Sequence, residues 1–197
     1  MISPLFNNLG FAMNVCFLDF DGVFTLTRAC YLLGDYVDHA AVKILNKFLV
    51  DNEFKIVVSS TWRKGSTALE LSSYLNLSGF NRGLLFYDDF KTKSLSGLRG
   101  EEIAEWLSRH PEVQCYIIVD DDDDMLPEQL DNFIHVDAAN GFAVRDYHRA
   151  LSVASSTKLI DDDTCDPLVR PFKPRGVGRG INTYYENYIK NKGKDIE

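Results

Sequence analysis

Nowhere in this chain does an apolar run approach the roughly 18 residues of a membrane-spanning helix, so no such helix is expected. The first 18 residues hold no Lys or Arg, so they lack the charged start of a secretory signal. Cysteine is scarce, at four, and no CxxC occurs. Cys16, Cys30, Cys115 and Cys165 are far apart, and Cys16 and Cys115 sit inside apolar runs. That pattern favours buried, reduced thiols in a cytoplasmic protein over a disulfide framework. An excess of positive charge is also missing: 21 basic residues face 29 acidic ones, a net charge of −8. Such a chain has no overall attraction for polyanions, and any contact with nucleic acid must come from a local basic patch. Internal repeats are absent, and 45% apolar with 25% charged residues excludes a collagen-like, mucin-like or wholly disordered chain.

What is present reads as about one domain with a sizeable core. Four short apolar runs have the look of strands: Asn14–Leu18, Lys55–Val58, Tyr116–Val119 and Phe133–Val136. Gly83–Tyr87 is a candidate fifth. Between them lie helical patterns. Ala41, Val42, Leu45, Phe48 and Leu49 recur at helical spacing behind Asp38, a candidate N-cap. Thr67–Leu75 opens with the Thr67/Glu70 capping-box spacing. Arg99–Arg109 puts Ile103, Trp106 and Leu107 on one face, and Ala143–Ala154 is a last helix. Residues 22–36, with Gly22, Gly34 and several β-formers, suggest a hairpin or flap. Continuously apolar strands alternating with helices are the pattern of a mostly parallel sheet covered on both faces, an α/β fold.

Three of the strands end in polar clusters: Asp19-Phe20-Asp21-Gly22, Ser59-Ser60-Thr61, and Asp120 to Asp124. Open α/β sheets bind ligands at the carboxyl ends of their strands, so these clusters are expected to converge. Asp19 and Asp21 sit two apart and lean to the same side of an extended segment, and Gly22 permits a sharp turn. Carboxylates packed together need a cation, and hard oxygen ligands suit Mg²⁺.

These residues resemble those of a known family. NVCFLDFDGVFT looks like the first motif of the haloacid-dehalogenase-like (HAD) phosphatases, KIVVSSTWR like the second, and YIIVDDDDDM like the fourth. Arg99 ahead of EEIAEWL fits the third. SSTWR, the Arg99 helix and Asp137…Gly141-Phe142 are most similar to the HAD domain of Swiss-Army-knife RNA-repair proteins, over roughly residues 14–151. The resemblance implies a Rossmann-like three-layer sandwich. It also implies Asp19 as nucleophile and Asp21 as acid and base, with Ser59 and Ser60 as phosphate ligands. Arg99 would neutralise phosphate charge, with Lys91 and Lys93 as competitors for that role. Mg²⁺ would be held by Asp19, the Asp21 carbonyl and Asp120, with Asp121 or Asp124 supporting from behind. Ser60 and Thr61 have backbone capping as the rival role. Arg63 either reaches a second substrate group or forms a surface ion pair, and Lys93 is another possible substrate contact. Trp62 is read as packing ahead of base stacking.

The segments between motifs, 37 residues from Asp21 to Ser59 and 39 from Ser59 to Arg99, hold no full cap domain, so the fold is expected to be essentially capless and the site open. The core is expected to span 1–154, with 155–197 a polar and then basic extension packing on or near it. Residues 168–197 hold seven Lys or Arg against three acids, and Tyr184, Tyr185 and Tyr188 suggest docking of part of it. Gly176, Gly178 and Gly180 with Arg175 and Arg179 form either a flexible tail or a phosphate loop. The expected function is a Mg²⁺-dependent phosphomonoesterase acting on a nucleotide or a nucleic-acid end, with no membrane and no obligate protein partner. The rivals are a phosphatase for another metabolite or a phosphoprotein, and a non-catalytic module that holds nucleic acid. Retention of both Asp19 and Asp21 argues against the last, because binding needs no nucleophile.

Overall fold

The computed structural model describes residues 13–94 and 97–158. Expectations for the basic C-terminal extension and for Cys165 fall outside the described residues.

Four parallel strands form one sheet: β1 (Met13–Leu18), β2 (Phe54–Val58), β3 (Val113–Asp120) and β4 (Phe133–His135). Their order across the sheet is β2-β1-β3-β4. The central strand β1 is continuously apolar because both its faces are covered. Cys16 and Leu18 point into one hydrophobic cluster, and Val15 and Phe17 into another on the opposite face. Helices α2 (His39–Asp51), α3 (Ala68–Ser78) and α5 (Val144–Lys158) supply the first cluster with Leu45, Phe48, Leu71, Leu75 and Ala150. Helix α4 (Arg99–Ser108) supplies the second with Ile103 and Trp106. The result is the parallel sheet covered on both faces that the strand pattern implied, and with it the three-layer α/β sandwich that the resemblance implied.

Local chemistry explains the boundaries. Asp38 accepts from Ala40 N and Ala41 N and caps α2. That helix buries Leu45, Phe48 and Leu49 completely, each worth about 1.5–3 kcal/mol relative to exposure. Thr67 and Glu70 form the expected reciprocal capping box at the start of α3. Helix α5 runs from Val144 to Lys158, four residues past its expected end at Ala154.

Two regions differ from expectation. The flap after β1 pairs antiparallel at its base, where Leu26 N donates to Tyr36 O and Asp38 N to Phe24 O. Its tip is a helix, α1 (Thr27–Leu33), closed by Gly34 in the left-handed region. Gly83–Tyr87 forms no strand of its own. Leu85 makes an isolated bridge to Ile56, with two backbone hydrogen bonds extending the β2 edge. No helix among the described residues is long and apolar enough to cross a membrane.

Candidate active site

The polar clusters converge because β2, β1 and β3 are neighbours that end at one edge. Asp19 N donates to Val119 O and Ser59 N to Leu18 O, so the ladder holds these residues just past their strands. Asp19, Asp120 and Asp121 each offer a carboxylate oxygen within 4.8 Å of the others. Gly22 lets the chain turn away at φ +72°, and a Cβ there would lie 2.3 Å from the Asp121 carboxyl. The turn therefore needs glycine both for its backbone and for its closeness to Asp121.

Arg99 closes the cluster from the start of α4. Its Nη1 donates to Asp19 Oδ1 at 2.6 Å and to Ser59 O at 2.8 Å, and lies 3.2 Å from Asp120 Oδ2. Asp124 holds that helix end, its Oδ2 accepting from Arg99 N and its carbonyl from Gly100 N. The carboxylate also complements the positive end of the helix. Asp124 thus reaches the site through Arg99, whereas Asp121, expected behind the metal, stands among the carboxylates themselves. Asp122 and Asp123 are exposed.

Burial dominates the electrostatics. It pushes the Asp19 carboxyl up, against the lowering effect of Arg99 and the Ser60 hydroxyl. Asp120 is pushed up to about 8, chiefly by burial and then by the Asp19 charge, with Arg99 opposing. Asp121 is raised for the same two reasons. One guanidinium does not satisfy three clustered carboxyls, and buried Asp120 Oδ2 has no hydrogen-bond donor among the described residues. Hard oxygen donors with surplus negative charge fit a divalent cation such as Mg²⁺. Ser59 Oγ is likewise buried without a partner among the described residues. A buried hydroxyl left this way is costly unless an incoming group completes it.

Other residues lie elsewhere than the sequence suggested. Arg63 was expected at a substrate or in a surface ion pair; instead it is buried. Its guanidinium pairs with buried Glu102 and donates to Ser59 O, Ser60 O and Thr92 O. A short 3-10 turn at Thr61–Arg63 aims this side chain inward to brace the loop after β2. Lys93, the other expected substrate contact, is exposed and pairs with Glu105 at 3.0 Å. Lys91 donates to Arg63 O and Ser66 O, so neither lysine stands where Arg99 does. Ser60 Oγ accepts from Trp62 N, the capping role. Thr61 is exposed.

Trp62 is the residue the sequence undervalued. Its Nε1 donates to Asp21 Oδ2 at 2.9 Å, and its ring packs 4.7 Å from Tyr74 and 5.9 Å from Phe20. It is both packing and a hydrogen-bond donor to a site carboxylate. No spacing signal links residues 41 apart; only the adjacency of β1 and β2 does.

Comparison with known proteins agrees with this arrangement. A family profile described as "HAD domain in Swiss Army Knife RNA repair proteins" matches residues 15–147, more than half of the chain. No curated protein and no solved structure matches the chain.

Proposed function

Because the chain belongs to the family of HAD domains in Swiss Army Knife RNA repair proteins, we propose that it is a Mg²⁺-dependent phosphomonoesterase acting on a nucleotide or a nucleic-acid terminal phosphate. The observation that carries the reading is Asp19 at the end of the central strand, ringed by Arg99, Ser59 and two further carboxylates.

A carboxylate oxygen of Asp19 attacks phosphorus as the bond to the leaving oxygen breaks, giving an aspartyl-phosphate. Asp21, held by Trp62, delivers a proton to that leaving oxygen. It then takes a proton from the water that hydrolyses the acyl phosphate, which regenerates Asp19. Arg99 has its guanidinium next to Asp19 and offers planar donors to the phosphoryl oxygens. Ser59 Oγ supplies one more donor, which completes its own unmet hydrogen bond. Asp19, Asp120 and Asp121 would hold the cation, with the Asp21 carbonyl as a further candidate ligand. When bound, Mg²⁺ offsets the repulsion between Asp19 and an anionic substrate. The chain's cytoplasmic setting belongs to the same proposal.

The test is phosphate release from mononucleotides, 3′- and 5′-phosphorylated oligonucleotides, sugar phosphates and a phosphopeptide, each with Mg²⁺ and with EDTA. Release from nucleotides or oligonucleotide ends, lost in EDTA, is the expected result. Release confined to sugar phosphates or the phosphopeptide would move the reading to those substrates. Nucleic-acid binding with no release anywhere would leave a binding module.

A further inference from the structure

Beside Asp21 a cavity of about 810 Å³ opens between the end of β1, the α1 flap and Trp62. Pockets that enclose a whole small ligand run from about 300 to 1,000 Å³. Its walls carry Trp62, Tyr74, Tyr36 and Val37. Trp62 is held at its indole nitrogen by Asp21 and backed by Tyr74, which itself stacks on buried Phe20 at 5.6 Å and 26°. Yet 40% of Trp62 and 58% of Tyr36 remain exposed. Fixed, half-open aromatic surfaces of this kind are stacking platforms for planar rings.

The polar lining is lopsided. Among the described residues, Asp21, Asp35 and Asp121 face the cavity against a single cation, Arg28. That guanidinium is already engaged by Asp38 Oδ2 at 3.1 Å and by Asn140 O at 2.7 Å. A second anionic group on the ligand would meet negative charge here. A neutral ring bearing N–H donors would meet acceptors.

Asp21 stands at the boundary between this cavity and the carboxylate cluster. A leaving oxygen protonated by Asp21 therefore projects whatever it carries into the cavity. Resting on the phosphatase reading above, we infer that the cavity is a subsite for the base of the nucleoside bearing the scissile phosphate, and that it favours bases with an exocyclic amino group. Adenine, cytosine and guanine carry such a donor, whereas uracil and thymine present carbonyl oxygens instead. Asp35 is the acceptor suited to the amino group. It is exposed; among the described residues its Oδ1 accepts from Val37 N, and its Oδ2 has only the exposed His39 Nε2 nearby, at 3.9 Å, beyond hydrogen-bond distance. The base must leave any stack to enter, so mononucleotides and unpaired ends are substrates in preference to paired ends.

The test uses the chain's own fluorescence. Its two tryptophans are Trp62 and Trp106, and Trp106 is fully buried in the other hydrophobic cluster, so a quench on ligand addition reports Trp62. The full chain is titrated with free cytidine, uridine and ribose, which carry no phosphate. Cytidine should quench saturably, uridine at least about fivefold more weakly, and ribose not at all. Asp35→Asn keeps an acceptor for Val37 N and should close the gap between cytidine and uridine. Tyr36→Ala should weaken both nucleosides alike. In parallel, kcat/KM for phosphate release from cytidine monophosphate should exceed that for ribose phosphate by at least about tenfold.

Equal quenching by cytidine and uridine, or none by either, overturns the subsite. Equal phosphate release from the nucleotide and the ribose phosphate, without quenching, overturns it while leaving the phosphatase reading intact. Selective quenching with no phosphate release from any ester supports the subsite and removes the phosphatase reading.

Discussion

Gly22→Ala probes the join between the β1 turn and the carboxylate cluster, and the structure allows its cost to be worked out. At φ +72° a Cβ costs about 1–2 kcal/mol in backbone conformation alone. The same Cβ would lie 2.3 Å from Cγ and Oδ2 of Asp121 and 2.7 Å from Oδ1, so that carboxylate must swing away. Overpacking of this kind costs about 1–3 kcal/mol, nearer the lower figure where the displaced atoms end a side chain. The sum is about 2–4 kcal/mol of lost stability. The displaced carboxylate is also one of three offered to the cation, so the Mg²⁺ needed for half-maximal activity should rise at least about tenfold. Urea unfolding in EDTA and Mg²⁺ titration of phosphate release measure the two effects. The decisive comparison adds Asp121→Ala and the double variant. With Asp121 shortened the collision is gone while the φ cost stays, so the double variant should be more stable than the sum of the singles by about 1 kcal/mol or more. Additivity within about 0.5 kcal/mol would refute the placement of Asp121 against the turn.

Three further outcomes are expected. Trp62→Phe keeps a ring against Phe20 and Tyr74 but removes the donor that orients Asp21; a hydrogen bond of about 1 kcal/mol predicts a fall of a few degrees in melting temperature, and the loss of Asp21 positioning a fall of roughly tenfold in kcat. Arg63→Met removes a buried guanidinium that pairs with Glu102 and donates to Ser59 O, Ser60 O and Thr92 O, and should cost about 3–5 kcal/mol by urea unfolding, where a surface ion pair would cost under about 1. In EDTA, stability should fall as pH rises: Asp19, Asp120 and Asp121 all bind protons more tightly when folded, so their contribution is full below about pH 4 and declines as pH rises, that of Asp120 being lost as pH climbs through about 8. Unfolding midpoints between pH 5 and 8 check this, Mg²⁺ should flatten the slope, and a midpoint that rises with pH in EDTA would contradict it.

Much of the architecture was legible because it rests on local rules. The four strands are apolar runs stopped by Asp or Ser, and Asp38 and Thr67 announce their helices with cap chemistry. Helix α1 was not legible. It has seven residues, no side-chain N-cap and β-formers such as Tyr31, and its flap base pairs as a hairpin would. Gly83–Tyr87 misleads in the other direction, for an apolar run can lie along a sheet edge with a single bridge and form no strand. In the site, Asp19 and Arg99 could be placed because motif order and strand ends put them there. The division of the Asp run could not. Five identical side chains carry no sequence signal for which meets Asp19 and which holds the Arg99 helix; that follows from how the chain leaves β3. Arg63 reads in sequence as an exposed cation, for a substrate or a surface ion pair, and only the 3-10 turn directs it into the interior.

The central claim is that Asp19 takes the phosphoryl group. Rapid quenching during turnover with a nucleotide or a phosphorylated oligonucleotide, followed by mass spectrometry of the peptide holding Asp19, tests it most directly. This peptide should gain one phosphoryl group in the wild-type chain with Mg²⁺. Asp19→Asn, nearly isosteric, should keep the fold and lose both the adduct and turnover. Phosphate release by Asp19→Asn within about tenfold of wild type, or a phosphoryl group on any other residue, would contradict it.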